Sequence, residues 1–394
     1  MAKMSRKLEN AWKLVKAHEN YRSKTLNLIP SENILSPKAL KALSTDLAGR
    51  YALKPEFYGG TKYIHELWNY AEELTRKLFK VDHVLLEPLS GHIAAILVSH
   101  TFARGGRLAT LPSEDGGYPG YERVKIPDLI GAESIELPSS KEYFTPMVED
   151  GMRVIGEKKP ELVILGGSMI LFPHPVKEFS EIVHSYGGIL AYDASHILGL
   201  IAGGVFQDPI REGADLVYAS THKTFPGPQG AVVFTNNLRL YERLSENIYH
   251  KIVDNIHLNR LAAYAVTVEE MLRYGSLYAK RVVENAKHLA SSLDSLGVPL
   301  KAKDRGYTES HQIILDIQDS EARAKVRDRL EECGIIADAG VRFGTNEVTR
   351  RGMGKREMEK IARLIYRAME GEDPKKIRRE VRTLLRRFQT LRFR

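Results

Sequence analysis

The chain has 394 residues, 43% of them hydrophobic and 27% charged, a balance typical of a soluble globular protein large enough for two domains. No apolar run reaches membrane-spanning length and the N-terminus lacks the apolar segment of a signal peptide, so we expect a cytoplasmic protein with no membrane partner. The single cysteine, Cys333, excludes an intrachain disulfide, and without a His/Cys cluster we predict no metal site.

The formal net charge of +8 is concentrated in the last twenty residues. The segment Lys375 to Arg394 holds nine basic residues and one acidic residue, which leaves 49 of each in the rest of the chain. Apolar residues recur in this tail at helical spacing, which predicts a terminal helix on the small domain with a solvated basic face. Nucleic-acid or membrane binding by the tail is the less favoured alternative.

The first elements in chain order are a helix from Leu8 to Tyr21, an extended arm (LNLIPSEN) and a helix that starts at Ser36 and Pro37. A loop rich in Gly and Tyr, GRYALKPEFYGGT, precedes a helix from Lys62 to Phe79. Strands and helices then alternate, which predicts an α/β fold with a mainly parallel sheet and helices on both faces. The expected strands are His83 to Glu87, Leu108 to Leu111, Ser134 to Leu137, Leu162 to Leu165, Gly188 to Tyr192, Asp215 to Ala219 and Ala231 to Thr235, and the expected helices are Ile93 to Phe102, Val148 to Ile155 and Val176 to Tyr186.

A second, smaller domain is expected to follow a boundary between Tyr249 and Gly275. Two long helices, Asn259 to Arg273 and Leu277 to Leu296, would connect the domains. The small α/β unit would contain a strand from Gln312 to Ile317 and helices from Ser320 to Cys333 and from Lys355 to Met369. We therefore divide the chain into an arm (1–26), a large domain (27–250) and connecting helices with a small C-terminal domain (251–394).

Two polar clusters follow neighbouring buried strands. Asp193 ends one strand, and Ser220, Thr221, His222 and Lys223 follow the next. Ligands bind at the carboxyl ends of strands in an open α/β sheet, so Asp193 and Lys223 would face one small molecule. An acid and a loop lysine suit pyridoxal phosphate, with a Schiff base on the lysine and the acid on the pyridine nitrogen. From spacing alone, a strand-end turn former and a solvated lysine explain the two residues about equally well.

A phosphate site is indicated by LSGHIAAILVSH, where a strand end is followed by Ser90, Gly91 and a helix. Backbone N–H groups and the helix dipole favour an anion at such a helix N-terminus. A plain capping serine is the alternative interpretation of Ser90.

The motifs as a set resemble the serine hydroxymethyltransferase family of fold-type I pyridoxal-phosphate enzymes. The resemblance is carried, in the family's order, by LIPSENILSP at Leu28 to Pro37, FYGGTKY at Phe57 to Tyr63, LSG at Leu89 to Gly91, GGS at Gly166 to Ser168, DASHILGLIAGG from Asp193, STHKTFPGPQG from Ser220 and GVRFGTNEVTRRG at Gly340 to Gly352. It implies an aspartate aminotransferase-like large domain with a small C-terminal domain.

The resemblance also implies roles for individual residues. Lys223 would carry the cofactor, Asp193 would hold the ring nitrogen, and Arg342 would bind the substrate carboxylate. In a homodimer, Tyr51 and Tyr58 would reach into the partner's active site. The implied catalytic residues are Lys223, Asp193, His196 and Tyr58. Glu32 in the PSEN segment is a further catalytic candidate for proton handling near the substrate, with a surface capping role as the alternative. The implied cofactor-binding residues are Ser90, Gly91, Tyr118, Ser168, Asp193, His196, Thr221, His222, Lys223 and Tyr51, and those for the substrate are Arg342, Ser31 and Tyr58.

Two departures from the family pattern concern the reaction. Leu53 stands where the family's loop glutamate handles the hydroxymethyl group and the folate, and Glu56 is a candidate replacement. Tyr118 stands where the family has a histidine that stacks on the ring; tyrosine can stack, but its acid/base behaviour differs.

We therefore expect an enzyme that interconverts serine and glycine by Cα–Cβ cleavage at a Lys223 aldimine, with a reduced folate or other tetrahydropterin as a candidate one-carbon acceptor. A folate-independent threonine aldolase, racemase or aminotransferase is the enzymatic alternative, because of Leu53. A nucleic-acid-binding protein using the basic tail is the non-enzymatic one.

Overall fold

The fold is built around a seven-stranded mixed sheet, described here from a computed structural model that covers residues 10–340 and 342–393. The strand order is β2-β8-β7-β6-β5-β3-β4, and β8 alone runs antiparallel to its neighbours. The strands of this sheet are β2 (His83–Leu85), β3 (Arg107–Thr110), β4 (Glu133–Glu136), β5 (Leu162–Gly166), β6 (Ile189–Asp193), β7 (Leu216–Ser220) and β8 (Ala231–Thr235). The predicted α/β class is confirmed, and β8 lies against β7, the strand that precedes Lys223.

Helices cover both faces of the sheet, as the nearly continuous burial of β5 to β8 requires. The helices are α1 (Asn10–Arg22), α2 (Pro37–Leu43), α3 (Lys62–Phe79), α4 (Gly91–Ala103), α5 (Ile126–Ile130), α6 (Val148–Lys158), α7 (Val176–Ser185), α8 (Leu198–Ala202), α9 (Pro209–Glu212), α10 (Leu238–Ile248), α11 (Leu258–Ser295), α12 (Ser320–Glu332), α13 (Asn346–Arg350), α14 (Lys355–Met369) and α15 (Pro374–Leu385). Helices α4 and α10 pack on one face, and α3, α7 and α11 pack on the other. The predicted start of the first helix at Leu8 lies outside the described residues.

The two predicted connecting helices are one continuous helix, α11, of 38 residues. The prediction that one helix ends at Arg273 and another begins at Leu277 was wrong, because Gly275 is a packing contact within the helix. A Cβ placed on Gly203 would lie 2.7 Å from the Gly275 carbonyl oxygen and 2.3 Å from the Ala279 Cβ. The close approach of this loop therefore explains the small residues in the middle of α11.

A second apolar core lies at the C-terminal end of α11. It includes two small sheets, β1 (Leu26–Asn27) with β10 (Ile335–Ile336) and β9 (Gln312–Ile314) with β11 (Arg342–Gly344). The extended arm thus joins this core through Leu26 and Leu28. Among the described residues, no helix combines the length and apolar character needed to cross a membrane.

The basic tail forms α15, as expected, and its apolar side packs into the second core. Ile377, Val381 and Leu384 are fully buried or nearly so, whereas Arg379, Arg382 and Arg386 are exposed. The tail is therefore part of the folded unit, and its positive charges face solvent.

Candidate active site

Asp193 and Lys223 lie at the same edge of the large sheet. Asp193 is the last residue of β6, and Lys223 follows the end of β7 by three residues in a loop. β6 and β7 are parallel neighbours in which Asp193 is paired with Tyr218. The strand ends therefore bring the acid and the lysine to one site, as the sequence predicts.

Burial and mutual charge set the ionisation of this pair. Burial lowers the pKa of Lys223 to about 8, an effect that the Asp193 carboxylate opposes and the Arg342 charge reinforces. Burial raises the pKa of Asp193, while the Lys223 charge and hydrogen bonds from Ser195 and Tyr218 lower it. A lysine of this kind has a far larger fraction of neutral, nucleophilic amine near physiological pH than an ordinary lysine, although most of it is still protonated.

The N-terminus of α4 lies against the ends of β6 and β7. Ser90 caps the helix, since its hydroxyl accepts a hydrogen bond from the Ile93 N–H at 3.2 Å. A Cβ on Gly91 would lie 2.2 Å from the Ser220 hydroxyl and 3.3 Å from that of Ser195, so only glycine fits here. Hydroxyl groups and helix N–H groups thus converge at one point, which is the donor set that a phosphate requires.

His222 and Thr221, both predicted to bind the cofactor, differ in whether their side chains already have a hydrogen-bond partner in the protein. The Nδ1 atom of His222 is buried without a hydrogen-bond partner among the described residues, and burial lowers the pKa of this histidine to about 4. Thr221 is fully buried, and its hydroxyl donates to the Pro228 carbonyl at 2.7 Å. The structure therefore leaves a free polar atom on His222, whereas the Thr221 side chain is used within the lysine loop.

Ser168 follows a double glycine at the end of β5. A Cβ on Gly166 would lie 2.1 Å from the Asp193 carbonyl oxygen, and Gly166 has a φ of 84°, so glycine is required on both counts. The Ser168 carbonyl accepts hydrogen bonds from Arg342 Nη1 at 2.7 Å and from Gln312 Nε2 at 3.0 Å. Ser168 and Arg342, predicted from separate motifs, are therefore in direct contact.

His196 is buried beside a second histidine. Its ring stacks on that of His311 at a centroid distance of 5.7 Å, and its Nδ1 lies 2.8 Å from Gln312 Nε2. Burial lowers the pKa of His196 well below its usual range, and the charges of Lys223 and Arg342 act in the same direction. His196 is therefore neutral at physiological pH.

Tyr118 is half-buried near Asp193. Burial raises the pKa of Tyr118, and the negative charge of Asp193 raises it further. Its hydroxyl lies 2.9 Å from Nδ1 of His92, and its ring makes an edge contact with Tyr121 at 5.6 Å. The side chain is thus within electrostatic reach of Asp193, the predicted partner of the ring nitrogen.

The arm that contains Ser31 and Glu32 borders a cavity of about 980 Å³, whose lining also includes Arg22, Asn33, His222 and Arg260. The Glu32 carboxylate accepts hydrogen bonds from Arg22 Nη2 at 2.6 Å and from Asn27 Nδ2 at 3.0 Å. Ser31 is half-buried next to Pro30, whose carbonyl lies 3.2 Å from His311 Nε2. Glu32 therefore reaches the cavity as one member of a polar network.

Tyr51 and Tyr58 are not brought to the Lys223 site of their own chain. They lie on an exposed loop with 47% and 39% of their surface accessible, and their rings are 5.6 Å apart. Leu53 is partly buried in the same loop, next to Lys54, whose amine pairs with Glu72 at 2.7 Å. The Glu56 carboxylate is 70% exposed and lies 3.7 Å from His65 Nε2.

Several residues at the site were not predicted from the sequence. They are Asn33, Tyr121, Ser195, Tyr218, Arg260, His311, Gln312, Asp338 and Asn346. Asn33 Nδ2 donates to the Lys223 carbonyl at 2.7 Å, which ties the arm to the lysine loop. The signal for His311 and Gln312 was two polar residues in front of the apolar run Ile313 to Leu315.

The residues present fit pyridoxal phosphate. The orphaned Nδ1 of His222 and the space that a Cβ on Gly91 would fill lie where the phosphate is expected. Asp193 is a buried acid for a ring nitrogen, and Lys223 is a nucleophile for an aldehyde. Among the described residues, no cluster of three or more metal-ligating side chains accompanies this site.

Comparisons with known proteins identify the family and the fold of the chain. The serine hydroxymethyltransferase family model matches residues 4–365. Serine hydroxymethyltransferase of Aeropyrum pernix is 39% identical over 98% of this chain and 90% of that protein, and the one of Pyrococcus furiosus is 40% identical over 93% and 92%. The crystal structure of L-threonine transaldolase from Pseudomonas fluorescens superposes with a TM-score of 0.90 at 24% identity, covering 98% of this chain and 94% of that one, and shares the fold.

Proposed function

Because the chain belongs to the serine hydroxymethyltransferase family, we propose that it interconverts serine and glycine by breaking and forming the Cα–Cβ bond of a β-hydroxy amino acid. The fold is that of the fold-type I enzymes, and the cofactor is pyridoxal phosphate. The observation that carries the proposal is the convergence of Asp193, Lys223 and Arg342 at one edge of the large sheet.

Pyridoxal phosphate, when bound, withdraws electrons from the amino acid's α-carbon, so that a bond to this carbon can break. In our assignment Lys223 holds the cofactor and Asp193 keeps its ring nitrogen protonated. Ser90, Gly91 and His222 hold the phosphate, with Tyr51 of the partner subunit. Ser168, His196, Thr221 and Tyr118 complete the cofactor site. The side chain of Thr221 acts through the lysine loop, since its hydroxyl bonds to Pro228.

Arg342 decides which bond breaks by fixing the substrate carboxylate. In serine the electrons of the Cα–Cβ bond remain on Cα, the β-hydroxyl loses its proton, and the β-carbon leaves as an aldehyde or passes to an acceptor. Glu32 is our candidate for moving that proton, because it borders the same cavity as the lysine loop. Ser31 and the partner subunit's Tyr58 complete the substrate site.

A homodimer is part of the proposal. Helix α1 buries none of its residues within the chain. Its large apolar side chains are therefore in solvent: Trp12 is 65% exposed and Leu14 is 70% exposed. The loop that carries Tyr51 and Tyr58 likewise exposes Phe57. A second copy of the chain would cover these apolar surfaces and receive the two tyrosines.

The division into an arm (1–26), a large domain (27–250) and a small domain (251–394) is also proposed. The two apolar cores support a large and a small unit, although β1 of the arm region pairs with β10 of the small one. A cytoplasmic location is proposed from the single cysteine, Cys333, because proteins of reducing compartments do not depend on disulfides.

Leu53 favours a second candidate, a folate-independent enzyme that performs aldol cleavage, racemisation or transamination. Leucine cannot move a proton or bind a polar pterin group. The exposed Glu56 would take the place of the family's glutamate only if the loop changes its conformation. The two candidates differ in their dependence on a reduced pterin.

The test is glycine release from L-serine and from L-allo-threonine, each with and without tetrahydrofolate. Lys223→Ala is expected to abolish release, while Lys158→Ala, an exposed lysine at the end of α6, is expected to leave it unchanged. Pterin-dependent release from serine would establish hydroxymethyl transfer. In that case the variant Glu56→Gln tests the replacement. A reduced pterin-dependent release would show that Glu56 has taken over the role of the family's glutamate, and an unchanged release would show that it has not.

The other outcomes are equally informative. Pterin-independent release from allo-threonine alone would assign aldolase chemistry, and Leu53→Glu would then be expected to introduce pterin dependence. No glycine from either substrate would reject both reactions and direct attention to Cα–H exchange.

A further inference from the structure

Gln312 connects the small unit to the candidate cofactor site. It is the first residue of β9 and is fully buried. Its Oε1 lies 3.0 Å from the Ile170 N–H, and its Nε2 lies 3.0 Å from the Ser168 carbonyl and 2.8 Å from His196 Nδ1. Both ends of the amide are therefore engaged.

The neighbours of Gln312 fix the orientation of its amide. A backbone N–H can only donate, so the amide atom that faces Ile170 must be the oxygen. A carbonyl can only accept, so the atom that faces Ser168 must be the nitrogen. Nε2 therefore donates its second hydrogen to His196, whose Nδ1 must carry a lone pair. The proton of the neutral imidazole is then on Nε2.

We propose that Gln312 is a positioning residue that holds His196 in the neutral tautomer with its proton on Nε2. No described residue hydrogen-bonds to that Nε2, so His196 offers a donor to the cofactor ring and its substituents. The inference rests on the proposed function only in placing the cofactor beside His196. The tautomer itself follows from the protein's own contacts.

The same contacts disfavour the imidazolium form of His196. A second proton on Nδ1 would point at the N–H group of Gln312, and burial adds a further penalty. The adjacent His311 is also neutral, because burial lowers its pKa to about 3. The donor on His196 is therefore constant over the pH range in which Lys223 titrates.

The experiment is nitrogen NMR of the full-length apoprotein labelled with ¹⁵N-histidine. The ring shifts distinguish the two tautomers, and His196→Asn identifies the His196 signals. We expect the wild-type signal to show Nε2–H. In Gln312→Glu the carboxylate cannot donate and instead accepts a hydrogen bond, so the proton should move to Nδ1 or a second proton should bind. Gln312→Met, which has no amide, should give a mixture of tautomers.

Gln207→Met is the matched control. The Gln207 amide also uses both ends, since Oε1 accepts from the His174 N–H at 2.8 Å and Nε2 donates to the His174 carbonyl at 3.0 Å. We expect this variant to leave the His196 signals unchanged. If Gln312→Glu does not fold, Gln312→Met provides the same comparison.

A second measurement is the affinity of the apoprotein for pyridoxal phosphate, which we expect Gln312→Glu to weaken about 10-fold, as for other residues that orient a ligand-binding group. Nδ1–H in the wild type, or an unchanged tautomer in both Gln312 variants, would overturn the proposal. A wild-type protein that binds no pyridoxal phosphate would reject the proposed function, while the tautomer result would stand on its own.

Discussion

Arg342 is held by Asp338: Nε of the guanidinium donates to Oδ2 of this carboxylate at 2.8 Å, and Nη2 forms an ion pair with the same oxygen at 2.8 Å. Nη1 donates to the Ser168 carbonyl at 2.7 Å. The two side chains are only 17% and 20% exposed, so solvent screens the pair weakly. The arginine assigned to the substrate carboxylate is thus fixed in place, and its charge is already balanced before the substrate binds.

We predict that Asp338→Asn lowers KM for serine by about 3- to 10-fold, which is on the order of 1 kcal/mol. Asparagine keeps an oxygen that can accept from Arg342 but removes the negative charge that repels the substrate carboxylate. Steady-state kinetics on the holoenzyme would measure this change. The control is Asp319→Asn, at the exposed N-cap of α12, which should leave KM unchanged. A higher KM in Asp338→Asn would mean that the charge of Asp338 is needed to hold Arg342.

The pKa of about 8 for Lys223 predicts how cofactor uptake depends on pH. Only the neutral amine attacks an aldehyde, so the uptake rate should rise about tenfold per pH unit below pH 8 and level off above it. Asp193→Asn should move the inflection to lower pH, because the Asp193 carboxylate favours the charged amine. Arg342→Met should move it to higher pH.

Absorbance-monitored reconstitution of the apoprotein would follow this uptake. Pyridoxamine phosphate, which has no aldehyde, is the matched ligand, and its binding should lack the Lys223 inflection. An inflection near the ordinary lysine value of 10.5 would contradict the assignment.

Tyr218 and Tyr121 form a buried pair behind Asp193. Tyr218 is paired with Asp193 across β7 and β6 and donates a hydrogen bond to its carboxylate, and the Tyr121 and Tyr218 hydroxyls are themselves hydrogen-bonded. Loss of the Tyr218 hydroxyl should raise the pKa of Asp193 further, because one bond to its ionised form is lost. We therefore predict that Tyr218→Phe weakens pyridoxal-phosphate binding more than Tyr121→Phe does.

A double-mutant cycle tests this pair, with apoprotein affinity for the cofactor as the measurement. Because the two hydroxyls share a hydrogen bond, the effects of Tyr121→Phe and Tyr218→Phe should be non-additive. Additive effects would show that the tyrosines act on Asp193 independently.

The parts of the fold that were predictable from sequence have local causes. The bounds of α3 and α14 and the cap at Ser36 follow from helical spacing and capping chemistry, and the shared edge of Asp193 and Lys223 follows from parallel strands. For contacts made by docking the small unit, the sequence did not indicate which residues would meet. Gln312 meets His196 across 116 positions of sequence, and the continuity of α11 through Gly275 depends on the loop at Gly203.

Glu87 should make stability depend on pH. This residue, just after β2, is 5% exposed, and burial raises its pKa from the ordinary value of 4.5 to about 7. Below pH 4.5 the folded and unfolded chains both carry the proton. Between pH 4.5 and 7 only the unfolded chain releases it, so stability falls as pH rises, by about 3 kcal/mol in total. Glu87→Gln does not titrate and should avoid this loss.

Urea unfolding of the apoprotein at pH 4.5 and pH 8, at one protein concentration, would measure the effect. The free energy of unfolding of Glu87→Gln minus that of wild type should increase by about 3 kcal/mol when the pH is raised from 4.5 to 8. Glu157→Gln, on an exposed position of α6, serves as the control and should show no such change. A difference between Glu87→Gln and wild type that stays constant with pH would mean that Glu87 is ionised in the folded chain at both pH values, with Lys54 compensating its burial.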